Sequence, residues 1–255
     1  MLRMTKNNNE LIMKRRRKKK IKKTIILFIL LVSILAILSI KLPYFNIASI
    51  KVYDNNNINS EEIIRLSGIT TGKNIFYINT WSIKNNILSN PYILNVKIKR
   101  KLPNTLELHV VERQSVFFNK KGDKFIVIDK NGIDLEEKDS ISSMKLIKLD
   151  GLKYEDAKVG KLIPCDDKRK LEVVHDITEL ILDNSSGLEM SAVDITNLVD
   201  IKVYFGNMQV KLGTSENMKD KLNKAINILK NNDLKSAKGY IDVSFNGNPV
   251  FFIEK

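Results

Sequence analysis

The sequence predicts an α+β protein: an N-terminal transmembrane helix, then a small βααββ domain, then a second mixed, mainly antiparallel β domain with flanking helices. Three observations predict it. A seventeen-residue uncharged run follows a dense basic tail. Residues 42–113 order as strand, helix, helix, strand, strand. Beyond them, apolar periods of two and of 3.6 both recur up to Ile253.

The chain has 255 residues, room for two modest domains, and its 43% hydrophobic and 28% charged content excludes wholesale disorder. The net charge of +14 is local rather than general. Residues 1–23 hold eleven Lys and Arg against Glu10 alone, whereas the other 232 residues hold thirty-two basic and twenty-eight acidic groups. A nucleic-acid footprint needs a basic stripe on a folded face, so a nucleic-acid partner is not expected.

Thr24 to Ile40 is uncharged, and thirteen of its seventeen residues are Ile, Leu, Val or Phe. At helical rise it spans about 25 Å, close to a hydrocarbon core of roughly 30 Å, with Lys22, Lys23 and Lys41 able to snorkel. Those thirteen side chains supply about −4 to −8 kcal/mol of insertion free energy. The run exceeds the apolar core of a cleaved signal peptide, and no A-x-A pattern follows it, so an uncleaved anchor is expected. The cationic excess before the span predicts a cytoplasmic N-terminus and an extracytoplasmic remainder. The expected segments are a tail (1–23), a span (24–41), a first domain (42–113), a second domain (114–246) and a C-terminal edge segment (247–255). The single cysteine, Cys165, cannot form an internal disulfide, so the exported part must be stable on its cores.

In the first domain, Ile47–Tyr53 reads as a strand. Asn59 or Ser60 caps a helix with Glu61 and Glu62 in its first turn and Gly68 just past its end. Thr80 is the expected cap of a second helix carrying Trp81, Ile83, Ile87 and Leu88, stopped by Asn90-Pro91. Tyr92, Leu94, Val96 and Ile98 then alternate with Ile93, Asn95, Lys97 and Lys99, and Leu106, Leu108 and Val110 follow the same period.

In the second domain, Phe125–Asp129 is a strand before the turn Asp129-Lys130-Asn131-Gly132, and residues 134–143 read as a polar loop. Met144–Leu149 is a strand. Leu171, Val174, Ile177 and Ile181 form a helical stripe opened by Pro164 and Asp166-Asp167. Strands at Met190–Ile195, Leu198–Phe205 and Met208–Leu212 follow, the last two joined at Gly206-Asn207. Ser215 is expected to cap a helix with Met218, Leu222, Ala225, Ile226 and Leu229 inward, and Tyr240–Phe245 and Val250–Ile253 close the chain.

Seven strings carry a resemblance. They are Phe45 to Val52, Ser60-Glu61-Glu62-Ile63, Gly72 to Phe76, Pro91-Tyr92-Ile93, Arg100 to Leu106 running into Val110-Val111-Glu112-Arg113, Ile128 to Ile133, and Gly239 to Val243. In order and spacing they resemble the FtsQ/DivIB family of bacterial cell-division proteins, whose first exported domain is a POTRA domain. Gln114-Ser115 departs from the proline usual after Glu-Arg, and the likeness is thinnest across 135–200. The resemblance implies a septal membrane scaffold that binds division proteins of the FtsL and FtsB/DivIC type and helps recruit or regulate septal peptidoglycan synthesis.

A search for chemistry points the same way. His109 and His175 lie 66 positions apart without a partner motif, and no zinc-protease, nucleophile-elbow, phosphate-loop or paired-cysteine pattern occurs. No catalytic residue, cofactor or metal ligand is therefore assigned. A membrane-anchored extracytoplasmic enzyme acting on the cell wall is the competing reading. The partner site is placed on the last strands. Residues 240–245 are expected at an open sheet edge, with Ile241, Val243 and Phe245 inward. Tyr240, Asp242, Ser244, Phe251 and Phe252 are the expected contact residues.

Overall fold

A computed structural model of the chain describes residues 2–231 and 234–254. Met1 of the expected tail and Lys255 of the expected edge segment lie outside them. Helix α1 (Leu2–Lys41) carries the basic tail and the uncharged run as one element. Its stretch Met13–Lys41 is long and apolar enough to cross a membrane. The hydroxyls of Ser33 and Ser39 donate to the carbonyls of Ile29 and Leu35 at 2.9 Å, so neither would be left unpaired in hydrocarbon.

The chain divides into two compact units, residues up to Asn86 with Val96–Val110, and Ile87–Asn95 with Val111–Lys255. Around the first unit run β1 (Ser49–Tyr53), α2 (Ser60–Ser67), α3 (Thr80–Ile87), β2 (Ile93–Lys101) and β3 (Thr105–Glu112). The sheet order is β1-β3-β2, and β1 runs parallel to β3 with Ser49 opposite Thr105 and Tyr53 opposite His109. Ile47, Ile63, Ile75, Ile83, Val96, Leu106, Leu108 and Val110 are buried in this unit.

Local chemistry sets the element ends. The Asn59 side chain accepts the Glu61 N–H at 2.8 Å to start α2, and Gly68 at φ 65° ends it in the left-handed region that a side chain would disfavour. The cap of α3 is Asn79, not Thr80. Its Oδ1 accepts the N–H groups of Trp81 and Ser82 at 3.1 and 3.2 Å, while Thr80 is already helical. Trp81 points outward with 72% of its surface exposed. The expected alternation in β2 also breaks. Ile93 and Val96 are both buried, while Leu94 and Asn95 between them are exposed. In β3 the alternation holds, with Leu106, Leu108 and Val110 inward.

The second unit is built on one nine-stranded sheet. Its strands are β4 (Ser115–Lys121), β5 (Lys124–Asp129), β6 (Asp134–Lys138), β7 (Ile147–Asp150), β8 (Ala192–Asp194), β9 (Ile201–Phe205), β10 (Met208–Gly213), β11 (Gly239–Asp242) and β12 (Val250–Ile253). Their order is β12-β11-β10-β9-β8-β7-β4-β5-β6. Five neighbouring pairs are antiparallel, and β4–β7, β7–β8 and β10–β11 are parallel, so the sheet is mixed and mainly antiparallel. Helices α4 (Arg169–Leu182) and α5 (Met218–Asn231) contribute Val173, Val174, Ile177, Met218, Leu222 and Leu229 to its core.

Two expectations are corrected here. Residues 134–138 are strand rather than polar loop, since β6 pairs with β5 and buries Asp134 and Leu135. The turn before it is held by Asp129, whose carboxylate accepts the Asn131 and Ile133 N–H groups at 2.8 Å and pairs with Arg113 at 2.7 Å. Ser215 lies too far upstream to cap α5. Asn217 immediately precedes that helix, and its carbonyl takes the Lys221 N–H at 3.1 Å. At the opening of α4 the cap position falls to Lys168, which makes no side-chain cap bond, while Asp167 just before it accepts the Arg169 N–H at 2.9 Å.

Candidate functional site

The expected open edge at residues 240–245 is also corrected. Strand β11 covers only Gly239–Asp242 and is paired on both sides, parallel to β10 and antiparallel to β12. The polar turn after Phe245 folds the chain back, so β12 takes the outermost position. A close backbone approach permits this. A Cβ on Gly239 would lie 2.0 Å from the Phe252 carbonyl oxygen, so any side chain there would force β12 away. Beyond the strand, Lys238 pairs with Glu254 at 2.5 Å and accepts its N–H at 2.8 Å, and the carboxylate holds the Lys238 ammonium pKa above its usual range.

The five expected contact residues do not form one patch. Tyr240 stands opposite Phe252, and their rings stack at 5.8 Å with the Lys211 ammonium 4.4 Å from the Tyr240 ring centre. Phe251 is opposite Ile241 and so belongs to the other face. The Asp242 carboxylate accepts the Ser244 N–H at 3.0 Å and the Ser244 hydroxyl at 2.6 Å, which closes the end of β11. Ile241 and Val243 are buried as expected, but Phe245, expected inward, is 48% exposed because β11 has ended before it.

What the edge offers is mainly apolar. Val250, Phe251, Phe252 and Ile253 are all exposed, by 40 to 51%, and the outer side of β12 pairs with no other strand among the described residues. Val250 and Ile253 complete this surface, and Gly239 and Lys211 support it. None of these four is among the expected contact residues. The continuous apolar run 250–253 is the one local signal for Val250 and Ile253, and only the strand order shows that this run is outermost.

Among the described residues the two histidines stand apart from each other. His109 Nδ1 lies 3.0 Å from Asp54 and its ring stacks on Tyr53, while His175 is exposed on α4. Among the described residues no three His, Cys, Asp or Glu side chains could hold a metal ion. A groove of about 370 Å³ in the first unit, lined by Ser67, Thr70, Lys73, Asn74, Tyr77 and Ser82 among others, contains no histidine, cysteine or carboxylate.

Comparison with known proteins gives this architecture its place. The family model of the FtsQ-type POTRA domain matches residues 45–113, and that of the cell division protein FtsQ/DivIB C-terminal domain matches residues 117–244. The chain is 48% identical over 229 residues to the cell division protein DivIB of Clostridium botulinum, covering 89% of this chain and 90% of that protein. It belongs to the FtsQ/DivIB family. The DivIB of Clostridium acetobutylicum is 45% identical over 88% of this chain and 89% of its own length. The FtsQ of Corynebacterium glutamicum is 28% identical over 42% of this chain and 48% of its own. As an FtsQ/DivIB member the chain is a cell-division protein, and α1 is the element that suits a membrane anchor. The C-terminal family match stops at residue 244, before β12.

Proposed function

We propose that this protein is a non-enzymatic scaffold of the division apparatus. In this reading it binds membrane division proteins of the FtsL and FtsB/DivIC type and helps recruit or regulate septal peptidoglycan synthesis. Residues 1–23 are cytoplasmic, 24–41 cross the membrane, and 42–113 and 114–246 are the two exported domains. Residues 247–255 are the edge segment, and the protein acts at the septum. The observation that carries the reading is the open, apolar β12. An added strand from a partner would gain backbone hydrogen bonds there, with Phe251 and Phe252 on opposite faces, and Tyr240 beside Phe252, giving selectivity. Asp242 and Ser244 act in this scheme by fixing the end of β11.

Co-purification from solubilised membranes, followed by identification of the bound small membrane proteins, tests the scaffold role. Tyr240→Ala combined with deletion of residues 249–255, measured for partner binding and thermal unfolding side by side, tests the site. Lost binding at an unchanged melting temperature supports docking on this edge. Unchanged binding, or loss through unfolding alone, removes it. The topology is tested by adding protease to wall-stripped cells, which should digest the exported domains and spare a short membrane fragment.

A further inference from the structure

The end of α1 is closed by a side chain from the folded unit that follows it. The last carbonyls of a helix have no partner within it. Here Leu38 O accepts the Leu42 N–H at 2.9 Å, and the Asn74 side-chain amide donates to Ser39 O at 2.9 Å and Ile40 O at 3.1 Å. Asn74 is buried, and its Oδ1 accepts the Phe76 N–H at 2.9 Å. The loop Gly72–Ile78 is held from two further directions. Backbone bonds join Ile47 N–H to Lys73 O at 2.8 Å and Ile75 N–H to Phe45 O at 2.9 Å. From β2, Arg100 donates to Ile75 O at 2.9 Å and to Ile78 O at 3.2 Å.

This fixed loop nevertheless turns large aromatic side chains to solvent. Ile75 is fully buried, yet Tyr77 is 70% and Phe76 41% exposed, as are Tyr44 at 65% and Leu42 at 43% just past the helix. Tyr44, Phe45 and Phe76 form a run of ring contacts at 5.3 and 5.5 Å. Lys41 and Lys73 are exposed beside them. Amphipathic rings together with cations are the composition of a membrane–water interface.

We propose that Leu42–Tyr44 and the loop Gly72–Ile78 form a seat in the headgroup layer of the leaflet from which α1 emerges, with Lys41 and Lys73 against anionic lipid. The proposal rests on α1 being the membrane span. Continuity decides the occupant. The loop is hydrogen-bonded to the last turn of the span, so its rings lie at the depth where that helix leaves the hydrocarbon. The first unit is then oriented on the bilayer rather than tethered above it.

The test uses the full chain in liposomes containing anionic lipid. Trp81 is the only tryptophan, and its exposure makes Trp81→Phe a tolerable background. Into it Tyr77→Trp and, separately, Tyr44→Trp are introduced. Flotation with the liposomes checks the span, and thermal unfolding checks the fold. The expected result is that both tryptophans are quenched by lipids brominated near the headgroup and shielded from aqueous iodide. Iodide quenching without bromolipid quenching, in a chain that floats, overturns the seat and leaves the span intact. Shielding from both quenchers also overturns it, because a protein surface would then cover the rings. A chain that does not float overturns the span, and the seat with it.

Discussion

The nine-stranded sheet has two edges, and they are built on opposite rules. At one end β6 buries Asp134 and Leu135 and then presents Glu136, Glu137 and Lys138, with Lys138–Glu136 at 3.2 Å and Glu137 tied to Lys121 at 2.9 Å. Tyr92 donates to Glu136 as well, and its phenol pKa is raised by burial and by that carboxylate. Charges of this kind keep an edge from recruiting another strand. At the other end β12 presents four apolar residues and no charge between Val250 and Ile253. One sheet thus carries a guarded edge and an unguarded one. An unguarded edge is a liability in a protein that works alone and an asset in one that works by docking.

The comparison breaks most readily where β12 is made to resemble β6. Phe251→Lys with Ile253→Lys should weaken partner binding by about 100-fold, roughly 3 kcal/mol, with the melting temperature nearly unchanged. Retained binding in a titration with the co-purified partner would show that the apolar edge is not the site. Next, Gly239→Ala should cost about 1–3 kcal/mol of stability by driving a methyl group into the Phe252 carbonyl. Hydrogen exchange should show the β12 amides losing protection while β8 and β9 keep theirs.

The guarded edge has its own weak point. Both Asp134 carboxylate oxygens are buried without a hydrogen-bond donor among the described residues. Burial pushes its pKa up to about 6, Glu137 adds to the rise, and Lys121 opposes it. A folded-state value above the unfolded one means that Asp134 favours folding below about pH 4, and that this contribution is lost as pH rises through 6. Asp134→Asn should therefore stabilise the protein by up to about 2 kcal/mol at pH 8 and bring no gain at pH 4, read from denaturant midpoints at the two values. The smallest effect is expected at Lys211→Ala, which removes the cation over Tyr240. About 0.5 kcal/mol of stability should go, with β12 still paired.

These edges also mark how far the sequence could be read. Local signals reached the membrane run, the period of two in β3, the stripe of α5 and the glycine ending α2, because each is written in residues a few positions apart. The residue strings led to the FtsQ/DivIB family. Strand β4 escaped because a register shift between Ser115 and Phe117 breaks its period, and β6 because four of its five residues are charged. The candidate site was legible as a neighbourhood only. Tyr240 and Phe252 do meet, but which strand stands outermost depends on pairings between distant segments, and no local pattern encodes that.

The parallel pairing of β10 with β11 has a consequence in time. Two parallel strands cannot be joined by a tight turn, so the chain must cross over through α5 before Tyr240 can lie beside Gln209. Only then does β11 exist as a surface on which β12 can settle. The edge therefore comes into being after most of the domain has been translated and packed. An incomplete chain has no such edge to show, so capture at β12 would double as an inspection, admitting to an assembly only those copies that have finished folding.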